Sequence, residues 1–399
     1  MAGFDFDRGL DAPFEWAPVE GVGRHALPEA LRARVFVHTV HDGAAIPTAF
    51  RDRVDAEALE RSFVRERDWG ANLVASHLAR ELGVGGYGRV TLARTLLDFN
   101  RFPGTTPPGG ATHPFERLAI NPPFADALHH QEKMELLDRY DEISAAYERH
   151  IHDKLITIGV HTYDERNPSQ TSRPHLSLVT LPAGYQREAR MPYGVFDPLY
   201  PDRLAESTCN RILRDRLSLE LERGGFRVSG NHPYALPEGS VEVREQVWFF
   251  FDAVRREYEA AHPSAVNDDA HALVWTMLLN TNLRLGQAEA LRGHLQRYRR
   301  PEPGQEGLFA RAAQAYEAIG GFIDSAEIVT KFRRGPQRPS SLAFEVRKDL
   351  VCEMNRDGHP PASPSPSMRA RAQKIGEIMA AAVGTYFETD RHRTEKRLD

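Results

Sequence analysis

Short apolar runs rich in β-branched residues alternate along the chain with longer stretches whose apolar positions recur at helical spacing. Residues 34–39, RVFVHT, are the first such run and stop at a polar cluster and a glycine, which predicts a buried strand. Residues 54–83 carry apolar residues at helical spacing and end in Gly83, so they predict one or two helices with a glycine C-cap. RVTLARTLLDFN, from Arg89 to Asn100, begins as a strand and runs into a polar turn closed by Pro103 and Gly104. A long charged segment with i,i+4 pairing predicts another helix up to LITIGVHT, from Leu155, a strand with a histidine near its end. LSLVTL, from Leu176, and FRVSGN, after a helical segment from Ala205 to Gly224, add two more strands.

This alternation predicts an α/β fold with a mixed, mainly parallel sheet flanked by helices. From about 240 to 335 the pattern changes to successive helices with no strand signal, which reads as a helical insertion or subdomain. PSSLAFEVRKDLVCE, from Pro339, returns to strand. A Pro/Ser loop then leads to a last amphipathic helix, from Met368 to about Phe387. The first 32 residues read as a polar lead-in and 389–399 as a frayed tail.

Composition narrows the function. The chain has 399 residues, with 51 basic against 56 acidic side chains and a net charge of -5. Nucleic acid is not the expected partner, because phosphate binding needs a basic patch. Two cysteines, Cys209 and Cys352, are too few for a disulfide framework or a Cys-rich zinc site. The start lacks a basic region followed by an apolar one, and the longest apolar runs fall far short of the ~20 residues that span a bilayer. The expectation is a cytoplasmic protein without membrane contact. Any metal would be held by histidine and carboxylate, and histidine, with 17 copies, is in excess.

In a mainly parallel sheet, ligands collect at the carboxyl ends of the strands. His41 stands just past the first strand and His161 near the end of another. Asp68 lies in a helical segment, where a lone aspartate is ordinarily a solvated charge. RTLLDFNR, 94–101, sends Arg94, Asp98, Asn100 and Arg101 out of a strand together, a set suited to binding a carboxylate, or else to a surface ion-pair turn. Glu345 alternates with Phe344 and Val346, so it faces a cleft or solvent if those two face the core. Two histidines and one aspartate are the minimum for an open catalytic zinc site. Serine or cysteine nucleophile signatures, a Walker loop and a dinucleotide fingerprint are all missing.

Taken in order, these motifs resemble the N-formylglutamate amidohydrolases, zinc hydrolases of a phosphorylase/hydrolase-like fold related to carboxypeptidase A and aspartoacylase. VFVHTVHDGAAIP is similar to the family's strand and PHxG opening. RDWGANLVASHLARELG is similar to its Asp-bearing helix, LARTLLDFNRFPG to its R-x-x-x-D-L-N-R-P, and YERHIHDKL to a Y-x-x-x-H-x-x-L helix. ITIGVHTYD, GFRVSGNHPYALP and LAFEVRKDL resemble later family segments. The resemblance implies Zn2+ held by His41, Asp68 and His161, with Asp42 or Glu66 as alternatives for the second ligand. It implies Glu345 as the general base, with Glu242 in the similar VEVREQVW as the alternative. Arg94 would polarise the scissile carbonyl, and Asn100 and Arg101 would clamp a substrate carboxylate, with Asp98 orienting the arginines. His152 and Tyr234 are further pocket candidates.

The implied reaction is hydrolysis of the amide in an N-acyl, N-formyl-like amino acid. The competing readings are a zinc carboxypeptidase or biosynthetic hydrolase of the same fold, and a binding protein that has lost the chemistry. Both flanks of the helical block contribute to one site, so residues 33–388 read as one domain interrupted at about 238–337. The insertion could serve as a lid, a partner surface or the arm of a homo-oligomer.

Overall fold

The computed structural model describes residues 12–107, 109, 117–181, 196–201, 204, 208–237, 239–325, 327–335, 338–355 and 363–390. Their strands, in chain order, are β1 (Phe14–Pro18), β2 (Val35–Thr39), β3 (Gly86–Val90), β4 (Ile156–Tyr163), β5 (Leu176–Val179), β6 (Val228–Gly230) and β7 (Ser340–Arg347). They form one sheet in the order β1-β3-β2-β4-β7-β5-β6. The centre, β3, β2, β4 and β7, is parallel. At one edge β1 runs antiparallel to β3, and at the other β5 runs antiparallel to β7 and parallel to β6. The fold is therefore the mixed, mainly parallel α/β architecture that the alternation predicts.

The principal helices are α1 (Ala56–Glu66), α2 (Ala71–Leu82), α3 (His130–Ile151), α4 (Arg211–Arg223), α5 (Val241–Ala261), α6 (Asp269–Leu279), α7 (Gly286–Leu295), α8 (Glu306–Ser325), α9 (Ile328–Arg334) and α10 (Pro366–Thr385). Alternation sorts the two faces of the central strands. Ile156, Ile158 and Val160 of β4 and Leu342, Phe344 and Val346 of β7 pack into one apolar cluster with Leu78 of α2 and Ile375 and Met379 of α10. Burying each large aliphatic side chain contributes about 1.5–3 kcal/mol, so this face is a main source of cohesion. The opposite face carries Thr157, Gly159 and His161 of β4 beside Ser341 and Glu345 of β7. That face is covered on one side by α5 and opens into the site on the other.

Three differences from the sequence reading have physical causes. The lead-in contains a strand: β1 lies within 1–32 and pairs with β3, its alternation (FEWAP) too short to stand out. The strand expected from Arg89 starts at Gly86, and its first half carries no apolar alternation because Gly86 and Gly88 sit where a Cβ would collide with Trp16 and Phe36. The helical block is also not an appendage throughout. Val254, Phe250 and Phe251 of α5 share an apolar cluster with α6, α7 and α8, yet α5 itself lies on the sheet. Glu245 accepts from Thr157 Oγ1 of β4 (2.5 Å) and from the Tyr147 hydroxyl of α3. Arg244 donates to Phe99 O at 2.7 Å, and Val241 N donates to Asn100 Oδ1 at 2.6 Å. The start of the block thus holds the segment that carries Asn100 and Arg101. Among the described residues, no helix is long and apolar enough to cross a membrane. Of the lead-in and the tail, 1–11 and 391–399 lie outside the described residues.

Candidate active site

His41, Asp68 and His161 converge at the carboxyl ends of β2 and β4. His161 Nδ1 stands 3.1 Å from Asp68 Oδ2, and His41 Nδ1 stands 3.5 Å from the same oxygen. Each of the three residues offers an atom within 4.8 Å of the others, and all are buried. Two donors ~2.1 Å from one ion at the tetrahedral angle stand ~3.4 Å apart, so these spacings fit a shared metal ion. His41 Nδ1 is buried with no hydrogen-bond partner, which also fits a ligand atom better than a structural one.

The other nitrogen of each imidazole is held from behind. His41 Nε2 lies 2.8 Å from Asp98 Oδ1, and His161 Nε2 lies 3.4 Å from Glu242 Oε1. A carboxylate on one ring nitrogen fixes the tautomer that leaves the other free to ligate. Burial alone would raise the Asp68 carboxyl, but the hydrogen bond with His161 and the closeness of the His41 imidazole outweigh it and hold Asp68 well below the usual carboxylate range. His38, one residue from the end of β2, is fully buried behind this group, where burial pushes it down to about 3 and keeps it neutral.

Asp68 differs from its expected setting. It sits in the break between α1 and α2 rather than inside a helix. There its backbone N–H donates to His41 O at 3.0 Å, and Gly70, at φ 86°, starts α2. That bond ties the aspartate to the loop that carries His41. Each of the two alternative carboxylates has a partner outside this group. Asp42 accepts from Thr39 Oγ1 at 2.8 Å and pairs with Arg89 at 3.1 Å, and Glu66 pairs with Arg65 at 2.9 Å.

Asp98 joins the ligand group to the arginines. Its Oδ1 also accepts from Asn100 N at 2.9 Å, and its Oδ2 lies 3.1 Å from Arg94 Nε and 3.9 Å from Arg101 Nε. Arg94 Nη1 stands 3.7 Å from Asp68 Oδ1. Burial depresses the Arg101 guanidinium, with Asp98 opposing that effect. Arg94, Asn100 and Arg101 all line a cavity of about 640 Å³ that also reaches His41, Asp68 and His161. A volume of that size suits a small-molecule ligand.

Glu345 lines the same cavity, directly across the β4–β7 ladder from His161. Its Oε1 accepts from the Tyr234 hydroxyl, while Oε2 is buried without a partner. Burial raises the Glu345 carboxyl above its ordinary value, against the lowering effect of His161. Glu242 is fully buried on the far side of His161 and does not line the cavity. Of the two candidate bases, Glu345 lines the cavity and Glu242 does not.

His152 is the pocket candidate that the structure does not bring to the site. It caps the C-terminal end of α3, exposed, with Nδ1 3.0 Å from Asp153. That position lies before β4 begins, at the opposite end of the strand from His161. Sequence reasoning also missed wall residues. Arg65 and Arg117 lie on the Arg94 side, and Tyr163, Arg173 and Lys348 on the Glu345 side. Lys348 had a local signal, since it directly follows the strand that carries Glu345; Arg173 had none.

A family model described as N-formylglutamate amidohydrolase matches residues 33–266, more than half of the chain. The chain belongs to that family. As a member of the N-formylglutamate amidohydrolase family it is a hydrolase of a C–N bond other than a peptide bond. The match spans His41, Asp68, Arg94, Arg101 and His161, includes all of α5, and ends before Glu345. One similar solved structure is an N-formylglutamate amidohydrolase from Ralstonia eutropha JMP134. It is 16% identical, with a TM-score of 0.46, over 94% of this chain and 99% of that one. Another is gene product Atu2144 from Agrobacterium tumefaciens, 15% identical with a TM-score of 0.42, over 90% of this chain and 93% of that one. No curated protein is a significant match.

Proposed function

We propose that the protein is a zinc-dependent amidohydrolase that cleaves the amide of an N-acyl amino acid bearing a carboxylate. The observation that carries this reading is the buried, unpartnered His41 Nδ1 beside Asp68 Oδ2 and His161 Nδ1. Histidine nitrogen and carboxylate oxygen suit zinc, and three protein ligands leave a position open, as catalytic zinc sites do. When bound, such an ion supplies Lewis-acid activation of a water and of the acyl oxygen.

The remaining work falls to this chain's own side chains. Glu345 takes the proton of the attacking water at its free Oε2 and delivers it to the departing nitrogen. Tyr234 holds the other oxygen of that carboxylate and so fixes its orientation. Arg94 faces the charge that develops on the acyl oxygen, a role that favours a fixed, buried donor. Arg101, with the Asn100 amide NH2, holds the substrate carboxylate and aligns the amide for attack. Asn100 Oδ1 is committed to Val241 N, so its NH2 is the group left to donate to a ligand. Family membership favours this reading over a carboxypeptidase, whose bond is a peptide bond.

The test is metal analysis of the purified protein joined to a hydrolysis assay on N-formyl-L-glutamate and other N-acyl amino acids. Near-stoichiometric zinc, with turnover lost on chelation and restored by zinc, is the expected result. Protein without bound metal and without metal-dependent turnover would overturn it.

A further inference from the structure

The cavity is cationic at both ends of the row of strands that carries the site. Arg94 and Arg101 follow β3 on one side of His41 and His161. On the other side lie Lys348, directly after β7, and Arg173, shortly before β5. Because β5 is antiparallel to β7, its first residues lie beside the carboxyl end of β7. Leu176 pairs with Val346, and Arg347 N donates to His175 O at 2.9 Å. Four strand intervals of ~4.8 Å separate β3 from β5, so the two cationic ends stand about 19 Å apart at the strand axes, with the ligand group between them.

Arg173 is built in rather than loosely hung. Its backbone N–H donates to Glu165 O at 2.8 Å, and its guanidinium lies over the Tyr163 ring at 5.1 Å. Its Nε is buried without a hydrogen-bond partner. Lys348 is largely buried, and its ion pair at 3.1 Å is with Asp164, an exposed carboxylate that screens poorly against solvent competition. A buried cationic donor without a partner is costly unless a ligand supplies one.

An N-formyl amino acid offers nothing to this end. Its carboxylates all lie on the amine side of the scissile bond, and a formyl group presents only hydrogen on the other side. We propose that the cavity takes an N-acyl amino acid whose acyl group ends in its own carboxylate, with Arg173 and Lys348 holding that carboxylate, Arg94 at the acyl oxygen, and Arg101 with Asn100 on the carboxylate of the amino-acid side. The proposal rests on the amidohydrolase reading given above. The reaction remains a hydrolysis. Water adds its oxygen to the acyl carbon, the C–N bond breaks, and a proton passes to nitrogen. The products are a dicarboxylate and a free amino acid.

The experiment compares kcat/KM of the zinc-loaded protein for N-succinyl-, N-acetyl- and N-formyl-L-glutamate, in the wild type and in Arg173→Gln and Lys348→Gln. A preference of tenfold or more for the succinyl compound is expected, because a site built to pair a polar group rejects analogues that lack it. That ratio should collapse towards one in Arg173→Gln. Calorimetry of succinate against butyrate on the same proteins reads the acyl end without turnover, and succinate should bind at least tenfold tighter in the wild type only. A wild-type preference for the formyl compound, or a succinyl preference kept in both variants, would overturn the proposal. Absence of turnover on the whole panel would defeat the amidohydrolase reading instead, and the succinate-to-butyrate ratio would still decide the acyl end.

Discussion

Asp98 Oδ1 lies 2.8 Å from His41 Nε2, on the ring nitrogen turned away from Asp68. The same carboxylate holds Arg94 and Asn100, so one side chain orients both a metal-ligand candidate and the carboxylate-binding segment. Asp98→Asn keeps the shape but removes the charge that fixes the His41 tautomer. Loss of such a supporting carboxylate typically costs 10–100-fold in metal affinity. Zinc affinity measured by competition with a chromogenic chelator should fall by about that factor. Affinity unchanged within twofold would mean that His41 does not ligate through Nδ1.

Glu345 and Glu242 make a paired prediction, because they sit on opposite sides of His161. Glu345→Gln should lower kcat by about 10²–10⁴-fold, the usual worth of a general base, with zinc retained. Glu242→Gln should weaken zinc binding more than it lowers kcat at saturating zinc, since it touches His161 and not the cavity. Parallel metal analysis and steady-state kinetics separate the two. If Glu345→Gln stayed active and Glu242→Gln at full zinc did not, the base would be Glu242.

Much of this site can be read in the sequence because period-two alternation fixes which side of a strand each residue takes. Glu345 was legible for that reason, as it alternates with Phe344 and Val346, while His161 was legible from its place near the end of an apolar strand, where ligands of a parallel sheet collect. Asp68 was legible by motif but misplaced in a helix, since the break after Glu66 depends on its bond to His41 O rather than on local pattern. His152 was misread. Its motif lies in a helix, and helical spacing does not say which end of the following strand a residue accompanies. Arg173 was illegible, because its place depends on β5 reversing direction and lying beside β7, a pairing far apart in sequence. Glu242 was seen only as an imitation of the LAFEVRKDL pattern, and its contact with His161 depends on α5 crossing the sheet.

Gly159 is the close-approach point beneath His161. A Cβ there would overlap Glu242 Oε1 and stand 2.8 Å from His38 Cε1. Gly159→Ala should therefore push Glu242 off His161. The expected result is weaker zinc binding together with a stability loss of about 1–3 kcal/mol, the usual cost of overpacking a core. Chelator competition and denaturant melts check the two effects. A variant equal to the wild type in both would show that α5 gives way without disturbing His161.

Glu245 makes stability depend on pH. It is fully buried on the sheet-facing side of α5, and burial pushes its carboxyl up from 4.5 to about 7, although the Ser341, Thr157 and Tyr147 hydroxyls pull it down. Below about pH 4.5 the folded and unfolded chains both hold the proton, and the group costs nothing. As pH rises towards 7 the unfolded chain releases the proton first, so stability falls through that window by an amount on the order of 3 kcal/mol. Glu245→Gln keeps an acceptor for Tyr147 or Thr157 and cannot ionise. In urea melts with chelator present, the variant should gain on the wild type between pH 5 and pH 8. Comparing the difference between the two proteins removes the contribution of Glu148, which burial also raises to about 7. A difference that stays constant across that range would mean that Glu245 is ionised throughout and that its hydroxyl partners fully offset its burial.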